Sequence, residues 1–78
     1  MTSKEIGATI RRLREKLGIS TTELARRVGI SQPQISRLEN GLQGFRSGTL
    51  IKIADVLGVP PFRLWMTDEE WQKWERTQ

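Results

Sequence analysis

The 78-residue sequence predicts an all-α fold, a domain of five short helices followed by one additional C-terminal helix. Apolar residues recur at spacings of three and four within each structured segment, which places them on one face of a helix. Several segments open with Ser or Thr followed three residues later by Glu or Gln, the pattern that caps a helix N-terminus. No segment shows the strict alternation or the hairpin turns of β-strands.

The first helix is predicted over residues 4–17. Ile6 and Ile10 begin its apolar face, and Gly18 is expected to end it. Arg14 follows Ile10 by four residues, at the margin of the same face. Because a partly buried guanidinium is unfavourable alone, we expect Arg14 to have a carboxylate partner.

The second helix is predicted to be barely two turns long. Ser20 and Glu23 have the spacing of a capping box at its start. Gly29 ends it, in a position expected to need a positive φ. Ala25 is small enough to let the next helix cross closely.

The third helix is predicted over residues 32–39, with Ser31 and Gln34 as a second capping box. Pro33 falls in the first turn, where its missing N–H has no intrahelical partner. Only three residues separate this helix from the previous one. That short connection is typical of a helix-turn-helix unit.

The remaining helices are predicted from their first residues. The glycine-containing loop "LQGFRSGTL" includes Ser47, which is the expected N-cap of the fourth helix. Pro61 is expected at the first position of a short fifth helix. Thr67 and Glu70 form a third capping box for a tail helix that ends near residue 76.

Charge is distributed unevenly along the chain. Residues 1–66 contain eleven basic and five acidic residues, whereas residues 67–78 contain two basic and four acidic ones. This division favours a polyanion-binding helix-turn-helix domain over residues 1–66 and a C-terminal tail helix over residues 67–78 that dimerises or covers the core. On charge alone, an ordinary solvated surface explains the surplus equally well.

Composition excludes most enzyme classes. The chain has no Cys and no His, which removes disulfides, thiolate and imidazole metal sites, and Cys-His or Ser-His nucleophiles. The only dense acidic group is Asp68, Glu69 and Glu70, and the first turn of a helix explains it better than a metal does. We therefore expect no catalytic residue, metal or cofactor. Neither a signal peptide nor a membrane span is present, so we expect a cytoplasmic protein.

Two stretches of the chain resemble a known protein family. The stretches "TTELARRVGISQPQISRLENG" and "TLIKIADVLGVPPFRLW" are similar to the lambda-repressor-like (Cro-type, xenobiotic-response-element) helix-turn-helix family, and the likeness covers residues 6–65. Members of this family are five-helix DNA-binding transcription regulators that usually act as dimers on inverted repeats. The resemblance implies two partners, double-stranded DNA and a second copy of the chain.

The outward face of the third helix is the predicted reading surface. If Ile35 and Leu38 point into the core, the residues on the other side face outward at about 100° per residue. The N-terminal part of the second helix of such a unit contacts base edges. Gln32 could pair with adenine and Arg37 with guanine. The predicted base-contacting residues are Gln32, Pro33, Ser36 and Arg37.

Neighbouring elements are expected to contact the DNA backbone. The predicted phosphate-contacting residues are Thr21, Asn40, Gln43, Arg46 and Ser47. Family members more often carry Gln at the Thr21 position, where it also braces the base-reading side chain. Glu39 would repel phosphate if exposed, so we expect it to pair with Arg14, as in members of the family.

The tail leaves two interpretations open. Trp71 and Trp74 lie on one side of a helix too short to be stable alone. They cover the open end of the core near Leu64 and Trp65, or they form a dimer interface. A dimer is favoured because a single unit would read too few base pairs. The function predicted is a repressor acting as a homodimer; the alternative is an antitoxin or adaptor that binds a protein partner through its tail.

Overall fold

The computed structural model describes residues 1–78 and confirms the predicted all-α fold. None of its helices has the length and apolar character of a membrane span. The elements in order are α1 (Ser3–Lys16), α2 (Thr21–Val28), α3 (Gln32–Glu39), α4 (Ser47–Leu57), a 3-10 helix (Pro61–Trp65) and α5 (Asp68–Arg76).

The core is wholly aliphatic and centres on α3, which packs against both α1 and α2. Leu24, Ile35 and Ile53 are completely buried, one from each of α2, α3 and α4. The helical spacing of such residues explains why these segments form helices, since each helix buries one apolar stripe. The buried apolar residues are Ile6, Ile10, Leu24, Ala25, Val28, Ile35, Leu38, Leu50, Ile53, Ala54, Leu57 and Leu64.

Two glycines allow α1 to lie directly on the C-terminal end of α3. A Cβ at Gly7 would come within 2.2 Å of the backbone oxygen of Leu38. Gly41 has φ +70°, and a Cβ there would lie 2.6 Å from the Cα atom of Lys4. Any larger residue at either position would therefore separate the two helices.

A buried ion pair joins the same two helices. Arg14 Nε donates to Glu39 Oε2 at 2.7 Å, and Arg14 Nη2 donates to Glu39 Oε1 at 3.0 Å. The side chains are only 11% and 4% exposed. Arg14 also donates to the backbone oxygen of Ile19 at 2.9 Å, and the bond to Glu39 raises the pKa of Arg14 above its ordinary value. The carboxylate expected beside Arg14 is thus Glu39.

Two predicted helix starts are wrong. Ser47 is the first residue of α4 and not its N-cap; the cap position is Arg46, whose side chain makes no capping hydrogen bond. Helix α1 begins one residue earlier than predicted, because Thr2 and Glu5 form a complete capping box there.

The capping box predicted for α2 forms only in part. Ser20 accepts a hydrogen bond from the backbone N–H of Glu23, as expected. The Glu23 carboxylate does not return the bond, because it pairs with Arg26 and Arg27. Hydrogen bonds from these two arginines lower the pKa of Glu23 to about 2.

Candidate nucleic-acid interface

Helices α2 and α3 form a helix-turn-helix unit with a rigid turn. Gly29 has φ +88°, the left-handed conformation that glycine adopts without steric penalty. Ser31 then caps α3 with Gln34 in a complete box, in which Gln34 Oε1 accepts from the backbone N–H of Ser31 at 3.0 Å. The Gln34 side chain is therefore engaged in the cap. Gly29 at one end of the turn and the Ser31 cap at the other set the direction of α3 relative to α2.

The outward face of α3 is polar and open to solvent. Gln32, Pro33 and Arg37 are exposed, and Ser36 is half-buried, while Ile35 on the other side is completely buried. The structure therefore brings the four residues predicted to contact bases onto one face of one helix.

Gln32 is held by a residue of the neighbouring helix. Its Nε2 donates to Thr21 Oγ1 at 3.1 Å. One Nε2 proton and Oε1 remain free, which are the donor and acceptor that a bidentate contact with adenine uses. Thr21 thus braces Gln32 in this chain, although it is shorter than the Gln that is usual at this position in the family.

Arg37 is held in a similar way by the segment after α3. Its Nε donates to Gln43 Oε1 at 2.9 Å. The two terminal nitrogens of the guanidinium have no partner within the protein. The side chain that could read guanine is therefore oriented before any ligand binds.

The residues predicted to contact phosphates surround this face. Thr21 begins α2, while Arg46 and Ser47 are exposed at the start of α4. Asn40 donates through Nδ2 to the backbone oxygen of Ser36 at 2.8 Å, so only part of its amide is free. Gln43 lines, with Arg46, an open cleft of about 360 Å³ between α3 and α4.

Two arginines without an ion-pair partner, Arg37 and Arg46, are located on this side of the molecule. Neither Arg37 nor Arg46 has a carboxylate within 4.0 Å, whereas Arg26 and Arg27 on the outer face of α2 both pair with Glu23. A cation without an internal partner is available to an anionic ligand. The arrangement suits a polyanion approaching α3 and the loop that follows it.

A second surface is aromatic and lies at the C-terminal end. Trp71 and Trp74 stack with ring centroids 5.0 Å apart, and Phe62 lies 6.2 Å from the first and 5.1 Å from the second. Trp65 follows Phe62 by three residues in the 3-10 helix, where such positions share a side. Phe62 and Trp65 are each 46% exposed and Trp74 is 37% exposed. We call Phe62, Trp71 and Trp74 the aromatic surface.

The tryptophans of the tail are therefore only partly covered by the chain itself. The Arg63 guanidinium lies 5.3 Å from the Trp71 ring, in cation–π geometry. The rings thus rest on Phe62 and Arg63, and no residue of α5 is buried. This arrangement covers part of Trp71 but leaves Trp74 facing solvent.

The acidic residues of the tail serve to hold α5. Asp68 accepts hydrogen bonds from Arg63 Nη2 at 2.7 Å and from Arg12 Nε at 3.2 Å. These bonds, chiefly that from Arg63, lower the pKa of Asp68. Glu70 accepts from the backbone N–H of Thr67 at 2.8 Å and completes the predicted capping box. No group of three acidic, His or Cys side chains has the arrangement of a metal site.

Comparison with known proteins establishes the class of this chain. A helix-turn-helix family model matches residues 10–64, which include α2, α3 and α4. The chain therefore belongs to the Cro and lambda-repressor-like helix-turn-helix family of DNA-binding transcription regulators. The resemblance seen in the sequence is confirmed.

Particular relatives support this membership. The chain is 36% identical over 58 residues to the HTH-type transcriptional repressor RghR of Bacillus subtilis, covering 73% of this chain and 43% of RghR. It spans about a quarter of the length of similar mycobacterial regulators, at 24%. Among solved structures, the hypothetical transcription factor NHTF from Neisseria matches with a TM-score of 0.86 and 26% identity, over 94% of this chain and 84% of that one. The biofilm regulator SinR in complex with DNA matches with a TM-score of 0.74 and 32% identity, over 78% and 98%.

Two features of the site are not evident from the sequence. Gln43 follows Arg37 by six residues across a loop, and no periodicity predicts that their side chains meet. Phe62 contacts both tail tryptophans, whereas neither of the two interpretations of the tail drawn from the sequence named Phe62. The spacing of three between Phe62 and Trp65 is the signal that could have indicated a shared side.

Proposed function

We propose that this protein is a transcriptional repressor that binds an inverted-repeat operator as a homodimer, with α3 in the major groove. The observation that carries the proposal is the outward face of α3, where Gln32 and Arg37 are exposed and already oriented by Thr21 and Gln43. A surface of this size and polarity fits the major groove, which admits a helix. Binding to genomic DNA also agrees with a cytoplasmic location.

Each exposed residue of α3 has a proposed partner on the bases. Gln32 offers a donor and an acceptor to adenine, and Arg37 offers its terminal nitrogens to guanine, each contact giving about 1–3 kcal/mol of discrimination. Pro33 has no donor, so it provides an apolar contact to a thymine methyl group. Ser36, half-buried beside them, reaches a base or a phosphate.

Phosphate contacts are proposed on both sides of α3. Thr21, Asn40, Gln43, Arg46 and Ser47 are the candidates. The start of α4 supports this role, because Arg46 makes no capping bond and so leaves the first backbone N–H groups of the helix without a side-chain partner. A helix N-terminus of this kind attracts phosphate through its free N–H groups and its dipole.

The second copy is proposed to dock on the aromatic surface, so that residues 1–66 bind DNA while residues 67–78 dimerise. Tryptophan is over-represented among residues that anchor protein interfaces, and Trp74 is still 37% exposed in the monomer. Two copies would read half-sites about 34–36 Å apart. RghR is named a repressor, and SinR is known in complex with SinI, so a different protein is the competing occupant of this surface.

Selection of binding sites from a random duplex library, with the purified full-length chain, tests the main proposal. Enrichment of an inverted repeat with half-sites about one helical turn apart is expected. Arg37→Ala should weaken that enrichment and relax the preference at one base pair of each half-site. Failure to enrich any sequence would contradict operator recognition by α3 and favour the antitoxin or adaptor function.

Sedimentation equilibrium tests the dimer separately. We expect the full-length chain to dimerise and Trp74→Ala to shift the population toward monomer, with Leu42→Ala, an exposed apolar residue outside the aromatic surface, as the matched control. An unchanged dimer in Trp74→Ala would place the interface elsewhere. If the chain were monomeric at every concentration, the aromatic surface would instead be expected to bind a different protein.

A further inference from the structure

Arg37 makes its one side-chain contact within the protein through Nε. That nitrogen donates to Gln43 Oε1 at 2.9 Å. The guanidinium has five N–H donors, of which this contact uses one. The four donors on the terminal nitrogens face no carboxylate within 4.0 Å. The exposed Arg37 side chain is thus hydrogen-bonded through Nε, while its two terminal nitrogens are available to a ligand.

Gln43 can hold Arg37 because its own backbone is anchored. The backbone N–H of Leu42 donates to the oxygen of Arg37 at 2.9 Å, and that of Gly41 donates to the oxygen of Leu38 at 3.2 Å. These two bonds form the Schellman motif that ends α3, with Gly41 at φ +70°. Gln43 is the next residue along the chain.

The other side of the segment is also fixed. Gly41 lies against the backbone of Lys4 in α1, and Phe45 packs on the hydrophobic core. Gln43 lies between these two anchors and is itself half-buried. The fold therefore limits the positions from which its amide oxygen can accept a hydrogen bond from Arg37.

We propose that Gln43 is a positioning residue that determines how Arg37 reads DNA, an inference that rests on the proposed function. Arginine contacts guanine O6 and N7 with two parallel N–H groups. Because Gln43 occupies Nε, the contact must use the two terminal nitrogens, so the guanidinium meets the base end-on. A preoriented side chain also loses less conformational entropy on binding. This positioning role replaces the phosphate contact proposed above for Gln43, because its amide oxygen accepts from Arg37.

The two roles have different signatures in DNA binding. Loss of a positioning residue relaxes preference at one base pair, whereas loss of a phosphate contact weakens binding to all sequences alike. Gln43→Leu removes the amide at similar size. Gln43→Glu keeps the acceptor oxygen, loses the donors and adds a negative charge.

The experiment uses the full-length chain and the operator selected with it. Arg37→Ala first identifies the base pair whose preference depends on Arg37. At that base pair, Gln43→Leu should reduce discrimination between G·C and the other pairs by about tenfold, with unchanged preference elsewhere. Gln43→Glu should keep the discrimination while binding every sequence more weakly. The double variant Arg37→Ala with Gln43→Leu should lose no further discrimination.

Several results would overturn the inference. The inference is wrong if Gln43→Leu binds all sequences uniformly more weakly, or if it behaves as the parent chain. If Arg37→Ala itself left every base preference intact, the proposed reading by α3 would be wrong, which is a different failure. Thermal unfolding of each variant controls for loss of fold.

The contact can also be tested without DNA. In the free protein, the Nε proton of Arg37 should exchange with water more slowly than that of Arg46, which has no protein partner at Nε. Gln43→Leu should remove this difference, and Gln43→Glu should preserve it. Equal exchange of the two arginines in the parent chain would show that Gln43 does not hold Arg37.

Discussion

Among the charged residues, Glu39 has the largest expected effect on stability, because it is the one carboxylate bonded to the buried Arg14 guanidinium. Glu39→Ala leaves that charge buried without its partner and should lower the free energy of unfolding by about 3 kcal/mol, measured by urea denaturation. Glu69→Ala is the matched control, since its side chain is 79% exposed and pairs with Lys73 across one helical turn.

The double variant Arg14→Leu with Glu39→Leu distinguishes loss of the pair from loss of packing. Replacing both charges by apolar side chains is often nearly neutral, because neither is then left buried alone. We therefore expect the double variant to be more stable than Glu39→Ala. If the double variant were the less stable of the two, a net attraction between the charges would be the main contribution of the pair.

A contact between two side chains can be predicted from the sequence when each residue requires a partner that only the other can supply. Arg14 needs a carboxylate, Glu39 must avoid DNA, and one bidentate ion pair meets both conditions. The contact between Arg37 and Gln43 follows from no such demand, because two exposed polar residues can each be satisfied by water. Only the path of the loop brings them together.

Between elements, the closest approach is that of α1 to the end of α3, which depends on Gly7. Gly7→Ala would place a Cβ 2.2 Å from a backbone oxygen of Leu38, so one helix must move. We expect a loss of stability of about 1–3 kcal/mol, measured by thermal or urea unfolding. Since α3 carries the proposed base readers, operator affinity should also fall.

A second glycine provides the control for this substitution. Gly48 lies in the first turn of α4, and a Cβ there would meet nothing within 4 Å. Gly48→Ala should therefore leave stability unchanged or raise it by up to about 1 kcal/mol, since alanine has the higher helix propensity. Equal changes in stability for the two substitutions would show that the close approach of α1 to α3 at Gly7 does not set the effect.

The attachment of α5 is expected to depend on pH through Asp68. Its folded-state pKa lies below the unfolded value of 3.8, because the carboxylate accepts bonds from Arg63 and Arg12. The resulting contribution to stability is therefore fully present above pH 3.8 and is lost as the pH falls through the lower, folded-state pKa. Tryptophan emission should report release of Trp71 and Trp74 in that acidic range.

Asp68→Asn separates this effect from titration of the other carboxylates. The variant cannot form the charged pair, so its tail should already be loosened at neutral pH and its emission should change less on acidification. Identical pH profiles for the two proteins would contradict the role of Asp68. The Lys73→Ala variant, which removes a partner of Glu69 and not of Asp68, should retain the parent profile.

Helix positions were largely predictable because their signals are local. Capping boxes at Ser31 and Thr67 have the predicted form, and Gly29 has the expected positive φ. The prediction for Ser47 fails because any serine before an apolar run resembles a cap, while the structure starts the helix at that residue. The contacts of α5 could not be predicted either, since they depend on where Phe62 and Arg63 lie in space.

Over the whole molecule, the pattern of ion pairs matters more than the net charge of +4. Arg26 and Arg27 share one carboxylate on α2, whereas Arg37 and Arg46 have none nearby. Only a cation free of internal partners can release a full counterion from DNA when it meets a phosphate. The basic residues therefore differ in their expected contribution to DNA binding, although they carry equal formal charge.

This difference is measurable as a salt slope. The logarithm of the operator binding constant should fall linearly with the logarithm of salt concentration, and Arg46→Ala should make the slope shallower by about 0.9 for each phosphate that Arg46 neutralises. Base preference should not change, because Arg46 precedes α4 and lies outside the base-reading face. Arg26→Ala should alter the slope much less, since Glu23 already neutralises part of its charge. Equal slope changes for the two variants would mean that the internal pair does not hold in the complex, and that all of the basic residues act only through their summed charge.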